Sequence, residues 1–132
     1  MMTPLLCLAS AIFFEARGEP VSGMQAVANV IINRVEDERY PKTVCGVVWE
    51  SKQFSWTHDG LTDDPEAYTG HQDKLAWVTS QEVAEEALQG NLLGITSTHF
   101  HTVNIKVYWS KHYALDARVA GHYFYTNETP YK

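Results

Sequence analysis

Residues 4–20 read PLLCLASAIFFEARGEP, in which an almost uncharged apolar run, Pro4 to Phe14, is followed directly by a carboxyl group, Glu15. Thr3 and Pro4 are a typical N-cap and first-turn residue at the start of a helix, and Gly18 and Pro20 are typical of its end. The pattern predicts a buried helix from Pro4 to about Ala16, with Glu15 in its last turn. Because burial raises the pKa of a carboxyl group, such a residue can hold a proton near neutral pH and donate it.

Glu15 has a second interpretation, since structural ion pairs also occupy helix ends: it could pair with Arg17 or Arg34. Glu19 follows four residues later and would share its helix face, but Gly18 breaks that geometry. We therefore expect Glu19 to bind backbone amides at the start of the next helix, where negative charge is favoured. Arg17 and Glu19 are predicted to be structural residues near the site.

Length and charge restrict the class of protein. A chain of 132 residues can bury one core without disulfides or metals, so we expect one domain over residues 1–132. The net charge of −6 argues against a nucleic-acid binder that works through phosphate contacts. Residues 5–14 resemble a signal-peptide core, but they lack a basic flank and are too short to span a bilayer. We expect no membrane insertion and no export signal of the chain's own.

The chain after residue 20 predicts three more helices and then short strands. The helices are expected at residues 22–40, 43–49 and 73–89, and the strands at residues 96–102, 115–119 and 122–126. Ala120-Gly121 fits a tight turn between the last two strands, which would form an antiparallel hairpin. Residues 51–70 are rich in Ser, Thr, Asp and Gly and are predicted to be an irregular, functional segment. The fold class is α+β, mostly helical, with a small antiparallel sheet toward the C-terminus.

The irregular segment contains the residues Gln53-Phe54-Ser55-Trp56. Aromatic faces stack on sugar rings, and Gln and Ser can fix hydroxyl and acetamido groups by hydrogen bonds. Four Trp, seven Tyr and five Phe in the chain suit a sugar-binding groove, although they also suit an ordinary core. The structural alternative is that Phe54 and Trp56 only pin the segment to the core.

His99 and His101 lie two residues apart on a predicted strand, so both should project from one face. That spacing is compatible with metal ligation, but no H-E-x-x-H or equivalent motif occurs. We favour polar residues that line a groove, with a metal-dependent amidase as the alternative. In the last strand Tyr123 or Tyr125 could face a ligand.

No nucleophile motif, phosphate loop or dinucleotide fingerprint is present in the sequence. The chemistry best served is general-acid cleavage of a glycosidic bond by Glu15. A hydrolase would usually need a second carboxylate, which Asp59, Asp63 or Asp64 could supply. Without one, attack by a hydroxyl of the sugar itself is the natural mechanism. A non-catalytic sugar-binding module built on the aromatic residues is a further hypothesis.

Cys7 and Cys45 are the two cysteines, and neither lies in a C-x-x-C pair. They could form one disulfide if the protein works outside the cytoplasm, or remain two buried free thiols. The sequence pattern leaves both possibilities open.

Several blocks of the sequence, in order, resemble the cell wall hydrolase family of spore cortex-lytic enzymes and related phage endolysins. These blocks are residues 14–19, 23–35, 43–48, 53–56, 59–60, 98–101, 108–109 and 121–125. The resemblance implies a lysozyme-like fold of the lytic transglycosylase type. It also implies peptidoglycan as substrate, cut between N-acetylmuramic acid and N-acetylglucosamine, without a cofactor. Glu15 becomes the catalytic acid, and then the base that yields a 1,6-anhydro product.

Family enzymes often carry cysteines on both sides of the Gln-Phe-Ser-Trp segment, whereas this chain has Lys52 and His58 there. A local disulfide is therefore not expected. The chain is close in size to a bare catalytic domain. We expect a monomeric phage-type endolysin, made in the host cytoplasm and released by a holin to act on glycan strands of the wall.

Overall fold

The computed structural model describes residues 2–50, 53–105, 107 and 113–126. Its four α-helices are α1 (Pro4–Ala16), α2 (Val21–Glu36), α3 (Val44–Val48) and α4 (His71–Leu88). Two 3₁₀ turns, Ser55–His58 and Pro65–Ala67, lie between α3 and α4. The strands are β1 (His99–Thr102), β2 (Ala114–Val119) and β3 (His122–Thr126). The predicted α+β class, mostly helical with a small antiparallel sheet toward the C-terminus, is confirmed.

Helix α1 is the central element of the core. The Thr3 side chain caps it by accepting a hydrogen bond from the Leu6 amide, and every residue from Cys7 to Phe13 is buried. The helix packs against α2, α3 and α4, which cover it on several sides. Its last turn emerges from this core, and that turn places Glu15 at the edge of the apolar interior. No helix of the described residues is long and apolar enough to cross a membrane.

Several element boundaries differ from the prediction by a few residues, among them the end of α2 at Glu36 and the start of α4 at His71, and two of the differences have identifiable reasons. Helix α2 begins at Val21, with Pro20 as the residue before it, because the fixed φ of proline already directs the chain into a helix. Strand β1 begins at His99, later than predicted. Just before it, side chains of α2 hold the backbone: Asn33 donates to the carbonyls of Ile95 and Ser97.

The sheet has the strand order β1-β3-β2, with both pairs antiparallel. Ala120, at φ 52°, and Gly121 form the tight turn of the β2–β3 hairpin, as predicted. Alternation gives the sheet two faces. Phe124 on one face is buried among α2 side chains, whereas the neighbouring tyrosines point to the opposite face.

A disulfide joins Cys7 of α1 to Cys45 of α3, with 5.3 Å between the two Cα atoms. The sequence left open a disulfide or two free thiols, and in the structure the two cysteines form the disulfide. The bridge ties the helix that carries Glu15 to the helix that precedes the irregular segment. It closes a loop with a sequence separation of 38 residues.

We expect replacement of both cysteines by alanine to lower the free energy of unfolding by about 3 kcal/mol, because the open chain regains loop-closure entropy. Urea denaturation of the oxidised protein and of the double variant measures this difference. A reductant should destabilise the parent protein to a similar extent and leave the double variant unchanged. Equal stability of the two oxidised proteins would contradict the prediction.

Candidate active site

Glu15 lies in the last turn of α1 and is partly buried. Burial raises its pKa from the ordinary value of 4.5 to about 7, and the positive charge of Arg34 opposes part of this shift. At neutral pH the carboxyl group is therefore present in both the protonated and the ionised form. That is the property a group needs to donate a proton and later take one back.

Neither proposed ion pair of Glu15 forms among the described residues. The Arg17 guanidinium lies 3.7 Å from a carboxylate oxygen of Asp73 and 4.7 Å from the ring centroid of Tyr68. Arg34 influences Glu15 only through its charge, and no described residue donates a hydrogen bond to Glu15. The carboxyl group is therefore available to a ligand.

Two cavities meet at Glu15. The first has a volume of about 860 Å³ and is bordered by Glu15, Trp49 at the end of α3, and residues of the 53–58 segment. The second has a volume of about 360 Å³ and lies toward the sheet, where Thr102, Asn104 and His122 border it. Glu15 borders both cavities, and we refer to the two together as the groove at Glu15.

The predicted segment Gln53-Phe54-Ser55-Trp56 reaches this groove. Gln53, Phe54 and Ser55 border the first cavity, and Thr57 and His58 join them there. Trp56 is buried beneath, where its ring stacks on Phe14 at 4.8 Å between centroids. Trp56 thus pins the segment to the core. Phe54 is also buried, with 3% of its surface exposed, while it borders the cavity.

Arg34 supports the groove from below. Its side chain is 4% exposed, and its Nε donates to the carbonyl of Thr98 at 2.8 Å. Its Nη1 donates to the side-chain oxygen of Gln53 at 3.3 Å, and its guanidinium lies 5.5 Å from the ring centroid of Phe54. One buried cation therefore connects α2, the start of β1 and the segment that lines the groove.

Glu19 has a structural role near the site, but the predicted partner is wrong. Its Oε1 accepts a 2.6 Å hydrogen bond from the Gly121 amide in the β2–β3 turn, rather than bonds from the start of α2. The same oxygen lies 3.3 Å from Nδ1 of His122. A Cβ atom at Gly121 would sit 2.7 Å from this oxygen, so a larger residue there would displace the Glu19 carboxylate. The bond fixes the sheet against the end of α1.

The four candidate residues of the sheet lie together on one of its faces. His99 and His101 are paired in register with Tyr125 and Tyr123, so all four project from the face opposite Phe124. None of them is among the described residues that border the two cavities at Glu15. Their contact with a sugar stays a prediction.

Both histidines are engaged within the protein. The two ring nitrogens of His101 contact the carbonyl of Thr102, at 2.7 Å, and the hydroxyl of Tyr125, at 2.9 Å. Burial, followed by the charge of Arg34, lowers the pKa of His99 to about 4. Within the described residues, no three His, Cys, Asp or Glu side chains are grouped so that they could hold a metal ion.

The loop carboxylates considered as partners of Glu15 are placed elsewhere. Asp59 accepts a hydrogen bond from the Leu61 amide, and Asp64 accepts one from the Glu66 amide. Asp63 and Asp64 border a different cavity, beyond Trp49. The described residues thus bring no aspartate of this segment to the border of the groove at Glu15.

Sequence reasoning missed several groove residues. Trp49, Thr57, Thr102 and Asn104 border the cavities, but each looks like an ordinary residue of a helix end or loop. Arg34 was considered only as an ion-pair partner. The signal available in the sequence was the position of Arg34, a cation among the apolar residues of a predicted helix. Lys52 and the block 108–109 lie outside the described residues.

Comparison with known proteins adds family information. Residues 18–125 match the family described as Cell Wall Hydrolase, a range that begins just after Glu15. The spore cortex-lytic enzyme of Bacillus subtilis (strain 168) is 37% identical over 81 residues, which are 61% of this chain and 27% of that protein. The spore cortex-lytic enzyme of Oceanobacillus iheyensis is 47% identical over 53 residues, which are 40% of this chain and 19% of that protein. The matches therefore span only about a quarter or less of these curated relatives.

Solved structures show the same fold. The catalytic domain of the germination-specific lytic transglycosylase SleB from Bacillus anthracis has a TM-score of 0.74 and 25% identity, covering 93% of each chain. The catalytic domain of the Bacillus cereus SleB protein also has a TM-score of 0.74, with 26% identity, covering 93% of this chain and 89% of that one.

Proposed function

The chain belongs to the cell wall hydrolase family, and from that premise we propose that it is a peptidoglycan-cleaving glycosidase. The bond cut is the β-1,4 linkage between N-acetylmuramic acid and N-acetylglucosamine. Residues 1–132 form one catalytic domain that works as a monomer and without a cofactor. The SleB domains with the same fold, one of them described as a lytic transglycosylase, support this reaction class.

Glu15 is the catalytic acid and base. The observation that carries this proposal is its position: a partly buried carboxyl group with a pKa of about 7 at the junction of two cavities. A glycan strand lying along the groove would place sugars on both sides of this group. The scissile linkage would then face the protonated carboxyl.

The reaction is a lytic transglycosylation. Glu15 donates its proton to the glycosidic oxygen as the bond from that oxygen to C1 of muramic acid breaks. The carboxylate then accepts the proton of the C6 hydroxyl of the same sugar while O6 bonds to C1. The product is a 1,6-anhydro end, Glu15 is again protonated, and no water is consumed. One carboxyl group suffices because it acts in both steps.

A hydrolytic muramidase is the alternative, and it needs a second carboxylate positioned across the scissile bond. Asp59, Asp63 and Asp64 were the candidates, and the described structure places none of them at the border of the groove. The metal-dependent amidase needs His99 and His101 as ligands, but their rings make contacts within the protein. A non-catalytic sugar-binding module would leave the raised pKa of Glu15 without a use.

The partner is the glycan strand of peptidoglycan, and we propose that the protein acts at the bacterial wall as a phage-type endolysin released by a holin. The Cys7–Cys45 disulfide supports a working place outside the reducing cytoplasm.

Product analysis tests the proposed reaction. Purified peptidoglycan is digested with the protein, and the fragments are separated and weighed by mass spectrometry. We expect muropeptides with 1,6-anhydromuramic ends, which are one water lighter than hydrolytic products. Fragments with reducing muramic acid ends would show that the enzyme is a hydrolase and not a lytic transglycosylase. Intact glycan with released peptides would indicate the amidase, and wall binding without any fragments would indicate the sugar-binding module.

A further inference from the structure

A third cavity, of about 460 Å³, lies beyond Trp49. The Trp49 side chain borders both this cavity and the groove at Glu15, so a branch of a bound glycan strand could pass from one to the other. Leu6 and Ser10 of α1 and Trp77 of α4 are among the residues that line it. Asp63, Asp64 and Glu66 line the side formed by the irregular segment.

The lining of the cavity includes a buried polar group without a hydrogen-bond partner in the described part of the chain. Ser10 is 1% exposed, and its hydroxyl has no hydrogen-bond partner among the described residues. Leu6, one helical turn earlier on α1, borders the same cavity, so Ser10 shares its face of the helix. A buried hydroxyl without a partner costs stability, and a ligand donor or acceptor at this position would satisfy it.

The acidic residues of the lining carry uncompensated negative charge. Among the described residues, no Lys or Arg forms an ion pair with Asp63, Asp64 or Glu66. Burial, and then the charge of nearby Asp59, raises the pKa of Asp63. Asp64 uses one oxygen to accept a hydrogen bond from the Glu66 amide, whereas Asp63 has no such bond in the described structure. A bound cation would relieve this accumulation of charge.

We propose that this cavity is a subsite for the amine-bearing aliphatic side chain of a diamino acid, such as lysine, in the peptide stem of peptidoglycan. Leu6, Trp49 and Trp77 contact the methylene groups, and the ammonium group lies at Asp63 and Asp64 with Ser10 as a further hydrogen-bond partner. The assignment rests on the proposed function, because it takes the glycan strand to lie in the groove at Glu15. The subsite would give the enzyme a preference for peptidoglycan whose stems carry a free side-chain amine.

The shape and charge of the cavity favour a stem amine over the other amine of the wall, that of a de-N-acetylated glucosamine. A sugar amine sits directly on a ring carbon and brings no methylene chain to the apolar walls. A stem branches from the strand, which suits a cavity separated from the groove by one tryptophan. A diamino acid with a carboxylate on its amine-bearing carbon would bring negative charge to an acidic border and should bind less well.

The test compares three substrates made from one peptidoglycan preparation with lysine in its stems and free lysine amines. The first is untreated, the second has its amines acetylated, and the third has its stems removed by an amidase. We expect the parent protein to show a kcat/KM about three- to fivefold higher on the untreated than on the acetylated wall, the range of a partly exposed ion pair. Asp63→Asn should reduce this ratio to about one.

On stem-free strands Asp63→Asn and the parent protein should have equal activity. The charge-matched control Glu85→Gln should keep the parent's ratio of kcat/KM on the untreated wall to kcat/KM on the acetylated wall. Equal cleavage of untreated and acetylated walls by the parent protein would overturn the subsite. A lower activity of Asp63→Asn than of the parent protein on stem-free strands would assign the cavity to a group of the glycan, such as a glucosamine amine, and overturn the stem assignment. If the parent protein cleaves no stem-free strand and no wall, the proposed function itself fails, and the subsite fails with it.

Discussion

Glu15→Gln is expected to lower turnover of peptidoglycan by roughly a thousandfold, because general acid and base catalysis contribute factors of about 10² to 10⁴ and one group provides both. Glutamine keeps the size of the side chain and removes the proton that is donated. Release of soluble muropeptides from purified walls measures the loss. Glu85→Gln, an exposed residue of α4, removes the same charge and should retain full activity. Activity of Glu15→Gln near that of the parent protein would remove Glu15 from the mechanism.

The pH dependence of kcat/KM follows from the same residue. In the proposed mechanism the protonated form of Glu15 is the active form, and the pKa of Glu15 is raised to about 7. We expect kcat/KM to be level at acidic pH and to fall about tenfold per pH unit above pH 7. A hydrolase with a second, ionised carboxylate would instead show a bell-shaped profile that also falls at low pH. The shape of the profile thus separates the two mechanisms independently of the products.

Burial of Glu15 also makes the free energy of unfolding depend on pH, in the same sense as activity. The folded-state pKa lies above the unfolded value, so the folded protein binds the proton more tightly. The contribution of Glu15 to stability is present below about pH 4.5 and is lost as pH rises through 7. At about 1.4 kcal/mol per pKa unit, the loss is on the order of 3 kcal/mol. The free energy of unfolding of Glu15→Gln minus that of the parent protein should therefore be larger at pH 8 than at pH 4.

Denaturant unfolding of both proteins at pH 4 and pH 8 checks this shift, with Glu85→Gln as the control that should follow the parent protein. If Glu15→Gln shows the same stability difference from the parent protein at both pH values, the carboxyl group has an ordinary pKa. The catalytic assignment would then lose its electrostatic basis. A residue that is destabilising when ionised and required for turnover is typical of a functional site.

The local features of the fold could be predicted from the sequence because the residues that determine them are neighbours in the chain. The threonine N-cap and proline that open α1, and the apolar run behind them, lie within thirteen helical residues. The hairpin of β2 and β3 follows from alternation around Ala120-Gly121. Glu15 was found by the same local pattern, a carboxyl group at the end of an apolar helix.

The contacts that shape the groove join residues far apart in the chain, and local patterns do not contain them. Glu19 accepts a hydrogen bond from Gly121, 102 residues away, so local charge preference led to the wrong partner. Arg34 donates to a carbonyl 64 residues away, which no periodicity indicates. Alternation correctly put His99 and His101 on one face, but which face meets the groove depends on how the sheet packs on α2.

The second large effect is expected at Arg34. Arg34→Met keeps the aliphatic length but removes the donors to Thr98 and Gln53 and the buried positive charge. We expect a loss of about 3 kcal/mol in the free energy of unfolding, since breaking a buried, hydrogen-bonded charge leaves partners unsatisfied. Arg118→Met removes an exposed arginine with one bond to the Ala120 carbonyl and should cost less than about 1 kcal/mol. Denaturant unfolding at pH 6 measures both.

The pH profile of kcat/KM in Arg34 variants distinguishes an electrostatic effect of Arg34 on Glu15 from an effect on stability alone. Arg34 lowers the pKa of Glu15 against the effect of burial, so its removal should raise that pKa further. The fall of kcat/KM at high pH should then begin above pH 7 in Arg34→Met. Arg34→Lys keeps the charge without the planar pair of donors, so it should restore the onset near pH 7 but recover only part of the stability. If both variants keep the parent's pH profile, Arg34 acts on the scaffold alone and its charge does not reach Glu15.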